Sequence, residues 1–204
     1  MLVCGNPYGE TVPIDREDLQ RRIAATTIED TVRGLIFNAG FAVVRDQLGD
    51  AAAKRCDPVG TASRTEFFSY PVADYLRMAF AAAEELETRM GGPDAVFHAI
   101  GSRAIQLVLG SMLGRTLVSL AGSEPKRLLS QIHPGYRATV SYGERSIEWT
   151  GEKQGRAIYR RDFLVPAFHS GVLSGALVGM GCGDVRVRGR QIGFLDMEFE
   201  ISWS

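Results

Sequence analysis

The sequence predicts an α+β fold in which a helical N-terminal two-thirds packs on a C-terminal antiparallel sheet, with one helix inserted between the strands. Three observations predict it. Apolar residues recur at three-and-four spacing up to about Gly135. From Tyr136 onward the texture changes to short β-branched and aromatic segments separated by glycine turns. Helical spacing then returns once, over Pro166–Met180, before two final strand-like segments.

Residues 1–14 carry Gly5, Pro7, Gly9 and Pro13, a punctuation that predicts an irregular N-terminal arm on a domain spanning 1–204. A short helix follows from Asp15. Thr27 reads as the cap of a second helix, with Glu29 and Asp30 at its positive end and Val32, Leu35, Ile36, Phe41, Val44 and Leu48 on one face before Gly49 stops it. Ala51–Cys56 adds a turn or two ahead of a polar connector around Pro58 and Gly60. Pro71 opens the clearest helix, in which Val72, Leu76, Ala79, Ala83, Leu86 and Met90 keep one face until Gly91 and Gly92 end it. From Pro93 to Gly114 a further helix becomes apolar nearly all round, which predicts neighbours on several sides.

Ser123, Glu124 and Pro125 start one more short helix that ends near His133, Pro134 and Gly135. Tyr136–Tyr142, Ser146–Thr150 and Arg156–Phe163 then read as a three-stranded meander, and Val185–Arg190 and Phe194–Trp203 as strands after the inserted helix. These strands are expected in one sheet, with the inserted helix packed on it through Gly171, Gly175 and Gly179. The same glycines could instead line a ligand groove.

Composition excludes several classes. Hydrophobic residues at 45% and charged residues at 23% are ordinary for a globular chain and argue against disorder. With 23 basic against 24 acidic residues, nothing attracts nucleic acid as a main partner. Cys4, Cys56 and Cys182 form no CxxC pair, as expected of a reduced, cytoplasmic protein. Only Met1, Leu2 and Val3 precede Cys4, too little for a signal peptide, and the apolar stretch Ala104–Gly114 falls short of the roughly 18 residues of a membrane span.

No catalytic signature stands out. His98, His133 and His169 are scattered without a metal-ligand spacing, so no metal site is expected. Asp162, His169 and Ser170 are the residue types of a hydrolase triad, but no GxSxG elbow presents the serine. Gly179, Gly181 and Gly183 lack the strand and helix that flank a dinucleotide loop and read as a turn. Arg186, Arg188 and Arg190 alternate with Val185 and Val187 and could form an anion patch, joined by Arg160 and Arg161, or simply the solvated face of a strand.

The segments VRGLIFNAGFAVVRDQLG, YPVADYLRMAFAAAEEL, IGSRA, LGRTLVSLAGSEPKRLL and GFLDMEFEISW resemble a myxobacterial paralogous family of uncharacterised proteins over about Val32–Trp203. The order of elements is also similar to the wider group of haem-dependent nitric-oxide and oxygen sensors, 4-vinyl-reductase-type ligand-binding domains and TRAPP vesicle-tethering subunits. That resemblance implies a pocket between helices and sheet, with Arg115, Tyr136, Tyr142, Phe168 and His169 as candidates to line it. In the haem sensors an axial histidine lies on the helix before the sheet and a YxSxR motif in the following strands holds the propionates. Here Ser111–Gly122 contains no histidine, and Ser141, Tyr142, Gly143, Glu144 and Arg145 depart from the motif, so no cofactor, haem included, is expected.

The leading functional expectation is a non-enzymatic sensory or adaptor domain that binds a small apolar ligand or a signalling partner. A second is an enzyme or cyclase-like auxiliary protein using Asp162, His169 or Glu198 in the same pocket, and a third is a scaffold whose pocket its own side chains fill. Phe37, Phe41, Tyr75, Phe80 and Phe97 widen the apolar faces of the helices, which predicts a homodimer through the helical half unless these rings are all internal.

Overall fold

A computed structural model of the chain describes residues 15–122 and 124–204. The expected arm over residues 1–14, with Cys4, lies outside the described residues. The chain runs α1 (Arg16–Ala24), β1 (Thr31–Arg33), α2 (Gly34–Leu48), α3 (Asp50–Cys56), β2 (Ser69–Pro71), α4 (Val72–Met90), α5 (Pro93–Gly110), α6 (Met112–Ala121), α7 (Pro125–Ser130) and α8 (Ile132–Arg137). The hairpin β3 (Glu144–Gly151) and β4 (Gln154–Arg160) follows, then α9 (Pro166–Gly179), β5 (Arg186–Gly193) and β6 (Asp196–Ser202). The fold is α+β, with the helical two-thirds packed on one antiparallel sheet of order β3-β4-β6-β5 and α9 inserted between its two hairpins.

Pro71 precedes α4 directly, and Gly91 ends it in the left-handed region at φ 87°, a conformation that costs glycine nothing. The helix expected from Thr27 begins instead at Gly34. Asp30 closes a turn by accepting from the Thr27 amide at 2.7 Å and the Thr27 hydroxyl at 3.0 Å, and its own carbonyl accepts from the Val72 amide at 2.9 Å. This frees Thr31–Arg33 to pair with Ser69–Pro71 as a second, two-stranded sheet that the sequence did not reveal. The long helix expected over Pro93–Gly114 is two helices, because the Ser111 side chain caps α6 at the Gly114 amide, 3.1 Å away.

Tyr136–Tyr142 is not a strand of the main sheet. Its first residues complete α8, where Pro134 falls in the first turn and loses no hydrogen bond. Only Val140 makes a bridge, to Val32 of β1. The segment thereby joins the two-stranded sheet, with the Arg33 amide donating to the Thr139 carbonyl at 2.8 Å and the Ser141 amide to that of Thr31 at 3.0 Å.

The glycines of α9 do pack closely, but against α5 and not against the sheet. A Cβ on Gly171 would lie 2.1 Å from the His98 carbonyl oxygen, and one on Gly101 of α5 1.9 Å from that of Phe168. Two helix backbones therefore touch, and α9 turns the opposite side, Leu173 and Leu177, onto Val187, Met197 and Phe199 of the sheet. A central helix covered on both sides needs no amphipathic stripe, which is why α9 is apolar nearly all round.

The outer sheet face is not an anion patch. Register sets Glu144 opposite Arg160, Glu148 opposite Arg156, and Arg188 and Arg190 opposite Glu200 and Glu198, so columns of opposite charge alternate across the strands. Arg190 reaches Glu198 at 2.7 Å and Arg160 reaches Asp196 at 2.7 Å, while Arg186 lies opposite Ser202. Arg188→Glu, which sets two acids face to face, is expected to cost about 0.5 kcal/mol, less in molar salt, by denaturant unfolding.

Phe37, Phe41 and Tyr75 are wholly buried, and Phe80 and Phe97 are at most 3% exposed. They stack edge-on within the core of one chain, Phe37 on Tyr75 at 5.1 Å and Phe80 on Phe97 at 5.3 Å between centroids. The aromatic surplus that suggested a dimer interface is thus absorbed internally, since α5 and α9 supply helical faces on both sides.

Candidate functional site

The strand alternation that turns Ile147 and Trp149 inward also turns Arg145 inward, beneath the sheet. Its guanidinium is buried, lies 4.2 Å from the centroid of the Tyr136 ring, and donates to the carbonyls of Tyr142 and Gly143 at 2.8 and 3.3 Å. Asp162, wholly buried, accepts a short charge-assisted bond from Arg145. Its other oxygen accepts from the Leu164 amide at 3.2 Å and from His169 Nε2 at 2.9 Å. Across the ring, His169 Nδ1 is bonded to the Tyr136 hydroxyl at 2.8 Å.

Local chemistry places each member. Arg161 takes φ +50°, a strained left-handed turn that ends β4 and swings Asp162 inward. The turn is held from outside: Arg161 grips both carboxylate oxygens of Asp30, at 2.7 and 2.8 Å, and its amide donates to Asp196 at 3.0 Å. Pro166 starts α9 so that His169 falls one turn in, facing back to Asp162. Behind them Arg22 of α1, itself buried, donates to the carbonyls of Phe163 and Leu164 at 3.2 and 3.3 Å.

Electrostatics fix the protonation pattern. Burial alone would raise the Asp162 carboxyl, but the His169 and Arg145 charges outweigh it and hold the group well below the ordinary carboxylate range. Asp162 is therefore an acceptor, and Nε2 of His169 donates to it. Burial, the largest influence, pushes Tyr136 well above the usual phenol range, so its hydroxyl keeps its proton and is not a base. The hydroxyls of Tyr75, Tyr159 and Ser170 and Nε of Arg145 are buried with no hydrogen-bond partner among the described residues.

Tyr136 and His169 line a cavity of about 100 Å³ between α5, α7, α8 and α9. The rest of its wall is mostly apolar, including Ile36, Val108, Leu128, Val172 and Leu173. Four of the five pocket candidates line it: Tyr136, Tyr142, Phe168 and His169. Arg115 does not. It is exposed on α6, where its guanidinium donates to the Gly110 carbonyl at 2.8 Å and closes off the end of α5.

The sequence-level triad is brought together in part. Asp162 and His169 bond, but the third partner is Tyr136, and the Ser170 hydroxyl has no partner. Glu198 lies on the outer sheet face, paired with Arg190. Cys56 is buried and its thiol is pushed up to about 11, chiefly by burial, which leaves it unreactive. Among the described residues no cluster of three or more His, Cys, Asp or Glu side chains could hold a metal ion, and no helix is long and apolar enough to cross a membrane.

A helical assembly covering an antiparallel sheet, with an apolar cavity among α5, α7, α8 and α9, is an α+β arrangement that solved structures share. A ferrous, unliganded H-NOX protein from K. algicida superposes with a TM-score of 0.68 over 84% of this chain and 96% of its own, at 13% identity. An H-NOX protein from S. oneidensis in the Fe(II)NO state gives 0.66 at 14% identity, covering 84% and 99%. An oxygen-binding H-NOX domain related to soluble guanylate cyclases gives 0.62 at 12%, covering 84% and 95%. Identities this low show the fold alone.

The chain itself belongs to the DUF2378 family, described as a protein of unknown function, which it matches over residues 25–204. No curated protein matches it.

A fold shared with haem proteins invites a test of fit, and the residues present do not fit the group. The cavity of about 100 Å³ is well below the ~300 Å³ at which pockets begin to hold drug-sized molecules. Of the three histidines only His169 lines it, and both ring nitrogens are engaged, by Tyr136 and Asp162. His133, on the helix that directly precedes the sheet, instead accepts from the Arg145 amide at 3.3 Å.

Proposed function

We propose that this protein is a non-enzymatic sensory domain that takes a small apolar molecule, and no haem, into the cavity among α5, α7, α8 and α9. The observation that carries this reading is the wall itself, which is apolar nearly throughout and carries few polar groups. Apolar cavities of this order stay dry and take up guests such as xenon or benzene. Binding suits the buried set better than chemistry does. Tyr136 is held protonated, Asp162 is tied on both oxygens, and neither presents a free lone pair or proton of the right pKa to a substrate. The fold's use in proteins described as binding oxygen and nitric oxide supports a small guest.

Xenon tests the reading. In ¹²⁹Xe exchange NMR the protein is expected to show a bound population that Ala176→Leu, which places three more carbons in the cavity, abolishes. No bound population, or one unchanged by that substitution, contradicts it. Haem reconstitution is expected to give no stoichiometric Soret band; a band lost on replacing His169 would overturn the exclusion.

A further inference from the structure

We infer that α7 is the gate of this cavity: a guest enters and leaves when α7 moves off about Gly122 and Gln131, while the rest of the wall stays in place. This rests on the binding reading above and adds the route of entry to it.

The wall is thinnest where α7 meets α8. Gln131, between the two helices, is the one exposed residue among those that line the cavity. Every other lining residue is buried or half-buried, so at this point a single residue stands between the interior and water. Leu128 and Leu129, just before it, line the cavity from α7 and are 8% and 3% exposed. The gate is closed in this structure.

The ties between elements decide which part of the wall opens. The helices α5 and α9 touch backbone to backbone, as the Gly101 and Gly171 contacts show. Thr139 and Val140 are joined to β1, the first by a bond from the Arg33 amide at 2.8 Å and the second by its bridge to Val32. The helix α8 is bonded to the core twice, through Tyr136 to His169 at 2.8 Å and through His133, which accepts from the Arg145 amide at 3.3 Å.

Nothing comparable holds α7. The Arg127 and Leu128 amides donate to the Glu124 carbonyl, the Gln131 amide to that of Leu128, and the Ser130 hydroxyl to that of Lys126. Its ion pair, Arg127 with Glu124 at 2.8 Å, is equally local. Among the described residues no hydrogen bond or ion pair leads from α7 to an element outside residues 124–131. Contact alone keeps it shut: Leu128 packs with Ala176, Leu129 joins the apolar cluster beneath the sheet, and Lys126 Nζ lies 5.2 Å from the centroid of the exposed edge ring Trp149.

Both ends of α7 suit a hinge. Gly122 takes φ +62° and ψ −137°, backbone that glycine enters without a steric cost. Gln131, at φ −87° and ψ 13°, interrupts the helix between α7 and α8. A short helix with few ties to its neighbours is the kind of unit that local opening releases first.

Hydrogen exchange and ¹²⁹Xe exchange NMR on the full chain test the gate. The Leu128, Leu129 and Ser130 amides are expected to exchange about a hundredfold faster, or more, than those of Val172 and Leu173, and to slow when xenon occupies the cavity. Equal protection of α7 and α9, or fast exchange in α7 that xenon leaves unchanged, overturns the inference. Leu129→Ala removes one of the two leucines that keep α7 shut and is expected to raise the xenon association rate about tenfold or more, whereas Val172→Ala, in the fixed wall, should change it less than about threefold. A Leu129→Ala rate no higher than that of Val172→Ala overturns the inference as well. Should Leu129→Ala not fold, the hydrogen exchange of the wild type decides. If xenon binds and neither measurement singles out α7, only the gate falls; if no xenon binds, the binding reading falls with it.

Discussion

Asp162→Ala is expected to destabilise the protein by about 3–5 kcal/mol, lowering Tm by roughly 10 °C, because it leaves the Arg145 guanidinium buried without its counter-charge. Arg145→Met should cost a similar amount, since it strands the Asp162 carboxylate. The double variant Arg145→Met, Asp162→Leu should lose less than the sum of the two, because neither charge is then left alone. Denaturant unfolding measures all three; additive losses would show that the pair is not coupled. The pH dependence follows from the sign of the shift. The folded Asp162 carboxyl lies below its unfolded value, so its contribution is fully present above the ordinary carboxylate pKa near 4 and is lost as pH falls below it. The wild type should therefore lose stability below about pH 4, and the Asp162→Ala protein should lose less over the same range.

The second large effect lies at the α5–α9 contact, as a graded series. A Cβ at Gly171 meets backbone, the His98 carbonyl at 2.1 Å, so two helices must separate; at Gly175 it meets the end of the Ile105 side chain at 2.6 Å; at Gly179 it finds Leu109 Cδ1 at 3.3 Å. Alanine in a helix gains about 1 kcal/mol over glycine when nothing is in the way. Gly171→Ala should then cost about 2–3 kcal/mol, Gly175→Ala about 1 kcal/mol or less, and Gly179→Ala should be neutral or slightly stabilising. Equal effects at the three sites would contradict the packing described.

The same series shows what the sequence could and could not convey. Spacing by four marks Gly171, Gly175 and Gly179 as a close-approach stripe, but nothing local says which element approaches, and the partner is α5, more than sixty residues away for each contact. The helix α4 was legible because Pro71 and the Gly91, Gly92 pair bracket one apolar face. The strands β1 and β2 were not, since three residues carry too little periodicity to register. Tyr136–Tyr142 misled through its composition: aromatic and β-branched residues suit a strand, but Pro134 sits where a helix starts, and the run serves the cavity wall instead. The bonded quartet draws Tyr136, Arg145, Asp162 and His169 from four elements or their ends. One signal for it did exist. Period two from Ile147 and Trp149 puts Arg145 on the inner face of β3, and an inward arginine requires a buried acid.

The account rests on a cavity among α5, α7, α8 and α9 that accepts a small uncharged guest, and crystals held under xenon pressure test it most directly. The expected result is an anomalous peak enclosed by Val108, Leu128, Tyr136, His169 and Val172, present in the wild type and absent from Ala176→Leu. Well-diffracting crystals with no xenon between these side chains, or with the same peak in the filled variant, would contradict it.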